Sequence, residues 1–170
     1  TLWSGVILEG WVAWGWPGAI PVSGDYDGDW KNDLAVYDST NGYWYIETVS
    51  ENPLAWEVPW GGFPGAIPVP GDYDGDGVDD LAIFDGTGSW YIRTVSGTVL
   101  AWAVAWGFPG GVPVPGDYDG DAISDLALYD SRTGNWYIRT MDGTTLAYEE
   151  EWGWPGVGVV LGAIPVGGLQ

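Results

Sequence analysis

Short runs of apolar residues, separated by polar turns, follow one another along the chain. The runs hold about four to eight β-branched and aromatic residues and are bounded by Gly, Pro, Asp and Ser, which is typical of β-strands; no helix is predicted. In the middle of the chain, the pattern predicts strands around residues 66–69, 81–84, 90–94 and 100–106, with a turn at 85–88. The sequence therefore predicts an all-β protein built from four-stranded antiparallel meanders.

This strand pattern is repeated three times, at intervals of about 45 residues. The string GDYDGD occurs once in each copy, and its first Asp is Asp25, Asp72 or Asp117. Around it, an aromatic-Pro-Gly step, a Pro-Val step, an Asp-Leu-Ala step and a Trp-Tyr-Ile triplet recur in the same order. Three full units therefore occupy residues 16–62, 63–107 and 108–153.

A four-stranded unit of this length with a Trp-rich signature is typical of a β-propeller blade, which buries its faces by stacking on its neighbours. We therefore expect one repeat domain, 1–170, with a β-propeller-like array of three full blades. Partial units flank them: residues 1–15 match the last strand of a blade, and residues 154–170 match the first strand. The two ends either meet in one incomplete blade or join the ends of neighbouring copies.

The composition removes several classes of function. The chain has 24 acidic and 4 basic residues and a net charge of -20, whereas binding to nucleic acid or to an anionic membrane needs a basic face. It has no His and no Cys, which excludes disulfides, imidazole or thiolate metal sites, and His-dependent nucleophiles. No apolar stretch approaches the roughly 18 residues of a membrane helix. We expect no nucleic-acid partner and no membrane insertion.

Each full unit contains one acidic loop, with Asp at positions 1, 3, 5 and 9 of the loop. This spacing suits an oxygen-only calcium site, in which positions 1, 3 and 5 turn to one centre, position 7 offers its carbonyl oxygen and position 9 adds a carboxylate. A Gly at position 4 allows the chain to curl. The candidate ligands are Asp25, Asp27, Asp29, Lys31 and Asp33 in the first loop, Asp72, Asp74, Asp76, Val78 and Asp80 in the second, and Asp117, Asp119, Asp121, Ile123 and Asp125 in the third.

Electrostatic repulsion favours a bound cation in these loops. Carboxylates about 4 Å apart repel each other by roughly 1 to 4 kcal/mol per pair, so a compact loop needs a hard cation at its centre. The alternative is three solvated turns that cap strands through Asx hydrogen bonds. Because the spacing is identical in three copies, we expect about three Ca²⁺ ions, in preference to Mg²⁺. Trp30 and Ala122 stand at position 6, where Gly is common, and weaken the expectation for the first and third loops.

The string GDYDGD-x-x-x-DLA, followed by Gly-x-Trp-Tyr-Ile, resembles the FG-GAP/VCBS repeats of integrin-type β-propellers. The resemblance covers most of the chain. It implies Ca²⁺ in the loops between the first and second strands of consecutive blades, bound by the residues just named. It also implies an extracellular setting and an adhesive, glycan-binding or scaffold role.

Other repeated residues are interpreted as structural. The Trp-Tyr-Ile triplets are expected to pack between blades, with Trp44 and Ile46 on one face and Tyr45 on the other. A column of Trp residues is also expected in the core: Trp14, Trp60, Trp106 and Trp152. A second acidic column is expected to form turns and to have no catalytic role: Asp38, Asp85 and Asp130.

The first functional hypothesis is a secreted, non-enzymatic, calcium-stabilised module for surface structure or adhesion. In it, the terminal strands join copies of the chain head to tail into a fibre. The alternative is a lectin that binds glycans at aromatic sites between blades. A weaker third hypothesis is a fragment of a polysaccharide-degrading enzyme whose catalytic part lies elsewhere.

Overall fold

A computed structural model describes residues 14–153. These residues form twelve β-strands in three four-stranded sheets, and none of them is helical, so no helix here is long and apolar enough to cross a membrane. The sheets are made of β1 (Ile20–Pro21), β2 (Leu34–Asp38), β3 (Tyr43–Glu47) and β4 (Pro53–Pro59); β5 (Ile67–Pro68), β6 (Leu81–Phe84), β7 (Ser89–Arg93) and β8 (Val99–Ala105); and β9 (Val112–Pro113), β10 (Leu126–Asp130), β11 (Asn135–Arg139) and β12 (Thr145–Glu151).

All strands of a sheet are antiparallel to their neighbours and follow the order of the chain. The predicted all-β repeat of four-stranded meanders is therefore confirmed. Within residues 14–153 the three sheets do not close into a ring. The partial units predicted at 1–15 and 154–170 lie outside the described residues, apart from residues 14 and 15.

A β-bulge interrupts the pairing of the last two strands in every sheet. One residue of the bulged strand has a left-handed backbone each time: Glu57 (φ 54°), Ala103 (φ 53°) and Glu149 (φ 58°). The residue before it is an exposed aromatic in all three sheets: Trp56, Trp102 and Tyr148. Since bulges redirect side chains, this irregularity sets an exposed ring at the same point of each repeat.

Consecutive sheets share one apolar core. Trp44 and Ile46 of β3 are buried against Leu81 and Ile83 of β6, and the same contact recurs between the second and third sheets. Tyr45 lies on the opposite face, where it contacts other aromatic rings. The alternation predicted for the Trp-Tyr-Ile triplet is therefore confirmed.

The residues of the Trp column are buried to different degrees. Trp60 is buried and Trp14 and Trp106 are half-buried, but Trp152 after the third sheet is 79% exposed, so the core prediction was wrong for Trp152. The backbone of the column still has a constant role, because its carbonyl oxygens accept hydrogen bonds from the triplet indoles. Trp44 Nε1 donates to the oxygen of Trp60 at 2.8 Å, and Trp90 Nε1 to that of Trp106 at 2.7 Å.

We expect Gly42→Ala to destabilise the fold. Gly42 has φ +78°, and an added Cβ would lie 2.4 Å from the backbone nitrogen of Gly62. Neither backbone can move easily, so we expect a loss of about 2 to 4 kcal/mol in the free energy of unfolding, measured with urea. Gly110→Ala is the matched control, since Gly110 has φ +86° with nothing within 4 Å of the added Cβ. Equal losses in the two variants would contradict the steric argument.

Candidate metal centres

A backbone hydrogen bond closes each acidic loop just beyond the first strand of its sheet. The nitrogen at position 9 donates to the carbonyl oxygen of the Gly before position 1. The distances are 2.6 Å for Asp33 to Gly24, 2.8 Å for Asp80 to Gly71 and 2.8 Å for Asp125 to Gly116. The ends of every loop are therefore held together by the protein itself.

The carboxylate at position 1 organises the interior of its loop. Asp72 Oδ1 accepts a hydrogen bond from the nitrogen of Gly75 at 2.6 Å, and Asp72 Oδ2 accepts one from that of Gly77 at 2.8 Å. Asp25 and Asp117 receive equivalent bonds from positions 4 and 6 of their loops. A carboxylate has about four lone-pair positions, so these bonds leave acceptor capacity for a cation.

Position 6 has a left-handed backbone in all three loops. The φ angles are 65° at Trp30, 84° at Gly77 and 69° at Ala122. The absence of Gly in the first and third loops therefore does not change the path of the backbone there. A non-Gly residue in this region carries strain of about 1 kcal/mol or more.

Position 9 supplies a buried carboxylate. Asp80 is only 1% exposed, and Asp33 and Asp125 are buried too; each accepts a hydrogen bond from the backbone nitrogen at position 2. The pKa of Asp80 is raised to about 7: burial is the largest cause, the hydrogen bond from the backbone nitrogen of Tyr73 opposes it, and the nearby carboxylates of Asp74 and Asp72 add to it. Burial also raises the pKa of Asp33 and Asp125. At position 9, burial therefore disfavours the ionised carboxylate more than the single backbone hydrogen bond favours it.

Carboxylate oxygens converge in each loop, but not all the predicted ones. In the second and third loops, positions 1, 3 and 9 bring one oxygen each within 4.8 Å of one another, whereas in the first loop positions 1, 3 and 5 do so. The three groups are Asp25, Asp27 and Asp29; Asp72, Asp74 and Asp80; and Asp117, Asp119 and Asp125.

The remaining predicted ligands lie outside these groups. Asp76 and Asp121 accept hydrogen bonds from the backbone nitrogens of Val78 and Ile123, at 2.9 and 2.8 Å. Asp33 belongs to the first loop but not to its converging group. The ammonium of Lys31 forms an ion pair with Asp29, which places a cationic side chain beside the first group. Coordination by the carbonyl oxygens of Lys31, Val78 and Ile123 stays a prediction.

The three converging groups could hold a metal ion, and their spacing is compatible with calcium. Calcium binds six to eight oxygens at about 2.3 to 2.6 Å, so two of its ligands lie up to about 5 Å apart. The converging oxygens, within 4.8 Å, meet this condition. They come from carboxylates only, which is the chemistry that hard cations prefer.

Tyr at position 2 is a structural residue that the analysis of ligand spacing missed. Its hydroxyl donates to the carbonyl oxygen of the Val in the preceding Pro-Val step, at 2.6 Å for Tyr26 and 2.7 Å for Tyr73 and Tyr118. Burial raises the pKa of Tyr73, so its hydroxyl stays protonated and donates. The signal was present, because Tyr occupies position 2 in all three loops.

Neighbouring loops are joined by hydrogen bonds. The nitrogen of Asp79 donates to the carbonyl oxygen of Asp25 at 2.6 Å, and Asp79 Oδ2 accepts from the nitrogen of Asp25 at 2.9 Å. Between the second and third loops, the nitrogen of Ser124 donates to the carbonyl oxygen of Asp72 at 2.6 Å. In both pairs of loops, the backbone nitrogen at position 8 thus donates a hydrogen bond to the carbonyl oxygen at position 1 of the preceding loop.

The second acidic column forms turns, as predicted. Asp85 Oδ1 accepts hydrogen bonds from the backbone nitrogens of Thr87, Gly88 and Ser89 at 2.8 to 3.0 Å. Asp38 and Asp130 accept equivalent bonds from the residue two positions later, both at 2.9 Å. Their carboxylates are therefore engaged in backbone turns.

Comparisons of the chain with known protein families, with curated proteins and with solved structures found no match.

Proposed function

We propose that the protein is a non-enzymatic, extracellular module of the FG-GAP/VCBS type, which calcium stabilises and which serves in surface structure or adhesion. The observation that carries the proposal is a buried carboxylate, such as Asp80, pointing into an acidic loop whose design is repeated three times. The carboxylates of a loop repel one another, and the net charge of -20 adds to this repulsion, so a compact loop is unfavourable without a cation.

The residues have separate tasks in this proposal. A bound calcium ion supplies positive charge that balances the carboxylates of each loop. Asp72, Asp74 and Asp80 would hold it in the second loop, with the matching groups in the other two. The Gly and Tyr residues of each loop fix the carboxylates in position through the hydrogen bonds described above. The module then presents a surface of constant shape to its partners.

A propeller-type arrangement with head-to-tail contacts between copies is the second part of the proposal. It is supported by the outer face of the third sheet. Trp136 and Ile138 are half-buried there, whereas their counterparts in the first two sheets are fully buried by the following repeat. In the first two sheets, this face is covered by the next sheet. The face of the third sheet is therefore suited to pack in the same way against a sheet of a second copy.

Calcium titration tests the first part of the proposal. Isothermal calorimetry on the chelator-treated protein is expected to give three Ca²⁺ ions per chain, and native mass spectrometry should count the same number. Magnesium at equal concentration should bind more weakly. A chain that binds no calcium at millimolar concentration would overturn the proposal.

The assembly has a separate readout. Sedimentation at several protein concentrations, with calcium and with EDTA, is expected to give species larger than the monomer in calcium. A monomer under all conditions would remove the fibre while leaving the calcium-stabilised module in place.

A further inference from the structure

Four aromatic rings are arranged in the same way in every repeat. We call these groups the first, second and third aromatic clusters. They are Trp14, Trp16, Tyr45 and Trp56; Trp60, Phe63, Tyr91 and Trp102; and Trp106, Phe108, Tyr137 and Tyr148. The central Tyr lies 4.6 to 5.1 Å from one neighbouring ring and 5.2 to 5.3 Å from the exposed ring on the bulge, between centroids.

The second aromatic cluster borders an open cleft of about 320 Å³. All four of its rings line the cleft, together with Asn41, Gly42, Pro59 and Gly61. Tyr91 and Trp102 are perpendicular to each other, at 90°, so two walls meet at a right angle. Trp102 is 65% exposed, and a ligand reaching the cleft from solvent would meet it directly.

Aromatic faces of these clusters already hold cations. The guanidinium carbon of Arg93 lies 5.6 Å from the centre of the Trp60 ring, and that of Arg139 lies 5.8 Å from the Trp106 ring. Arg132 lies 5.8 Å from the ring of Phe108. These are the protein's three arginines, and each is within the range of a cation–π interaction.

The net charge of the chain also favours a cation, although Arg93 stacks on the wall residue Trp60. The chain carries a net charge of -20, which concentrates cations at its surface. Asp38, three residues before the wall residue Asn41, accepts hydrogen bonds from the hydroxyl and the backbone nitrogen of Thr40, and these bonds lower its pKa. Arg93 itself is not among the lining residues.

We propose that the cleft of the second aromatic cluster binds a quaternary ammonium group, such as the trimethylammonium head of choline. Its methyl groups fill an apolar box, and its charge interacts with the ring faces without losing strong hydrogen bonds to water. A neutral sugar needs several directed hydrogen bonds. Among the described residues, the lining offers Asn41, the hydroxyl of Tyr91 and two indole nitrogens, and the indole nitrogen of Trp60 already donates to the carbonyl oxygen of Tyr91 at 3.2 Å. The net charge of the chain and the aromatic lining therefore favour the cation.

Binding of choline to the calcium-loaded full chain tests this proposal. We expect saturable binding of choline chloride by calorimetry. The neutral isostere 3,3-dimethylbutan-1-ol should bind at least about 10-fold more weakly, because it has the same shape without the charge. Trp102→Ala should weaken choline binding at least about 5-fold. Trp152→Ala is the matched control: Trp152 is 79% exposed, lies outside the clusters and the acidic loops, and its loss should leave affinity unchanged.

Two further measurements identify the source of the head group and distinguish loss of binding from loss of folding. Vesicles of phosphatidylcholine test a lipid source; binding of free choline, of these vesicles or of both supports the proposal. Trp102→Phe keeps an aromatic ring and should retain more affinity than Trp102→Ala. The proposal is overturned if neither choline nor the vesicles bind, if the neutral isostere binds equally well, or if a methyl glycoside binds more tightly. Calcium binding, measured separately, is not affected by these outcomes.

Discussion

In calcium at 100 times its dissociation constant, the protein is expected to be more stable than in EDTA by about 2.7 kcal/mol for each occupied site. Asp80→Asn should remove the contribution of one site. The reason is that Asp80 is the buried carboxylate of the second converging group, and an amide gives a cation no charge. Urea denaturation in calcium and in EDTA measures the difference.

The behaviour in EDTA gives the sharper test of Asp80→Asn. Without a cation, the ionised Asp80 is buried beside Asp72 and Asp74, so removing its charge should leave the stability equal or higher. Substitution of a residue with only a packing role would lower the free energy of unfolding in both calcium and EDTA. Glu150→Gln is the matched control, because Glu150 is exposed and lies outside the loops. Denaturation that is identical in calcium and EDTA would contradict the metal-site interpretation.

Trp90→Ala is expected to lower the free energy of unfolding by about 3 to 5 kcal/mol. Trp90 is 0% exposed, its ring packs against Phe84 at 5.3 Å between centroids, and its Nε1 donates to the carbonyl oxygen of Trp106. The substitution therefore opens a cavity and leaves a carbonyl group unpaired. Urea denaturation measures the loss.

Trp102→Ala is the control for Trp90→Ala. Both residues are Trp in the second sheet, but Trp102 is largely exposed, so its loss should cost less than about 1 kcal/mol. The half-buried counterpart Trp136 should give an intermediate value. Similar losses at Trp90 and Trp102 would contradict the packing of the sheets described here.

The strands could be predicted because β-branched and aromatic residues cluster in short runs and the turns between them are marked by Gly and Asp. The prediction for 81–84 coincides with β6, and 90–94 and 100–106 differ from β7 and β8 by one residue at each end. The exposure of the Trp152 side chain could not be predicted, because it depends on packing against other sheets and not on the local sequence.

The spacing of the Asp residues indicated which loops bring carboxylates together, but not which members of each loop converge. Positions 1 and 3 converge in all three loops, position 9 in two of them and position 5 in one. The spacing did not reveal that Asp76 and Asp121 lie outside the converging groups. Both accept hydrogen bonds from backbone nitrogens, but Asp29 accepts the equivalent bond and still converges with positions 1 and 3 of the first loop. The bond between Asp79 and Asp25 joins residues far apart in sequence, so local spacing contains no information about it.

The hydrogen bonds between neighbouring loops have a mechanical consequence. The backbone of Asp25 is bonded to the second loop, and that of Asp72 to the third, while both side chains belong to the converging carboxylate groups. A force that pulls adjacent repeats apart must therefore break bonds made by the same residues that would grip the ions. If calcium binds as proposed, resistance to tension along the array depends on ion occupancy, and removal of calcium should weaken the junctions between repeats before the sheets themselves unfold.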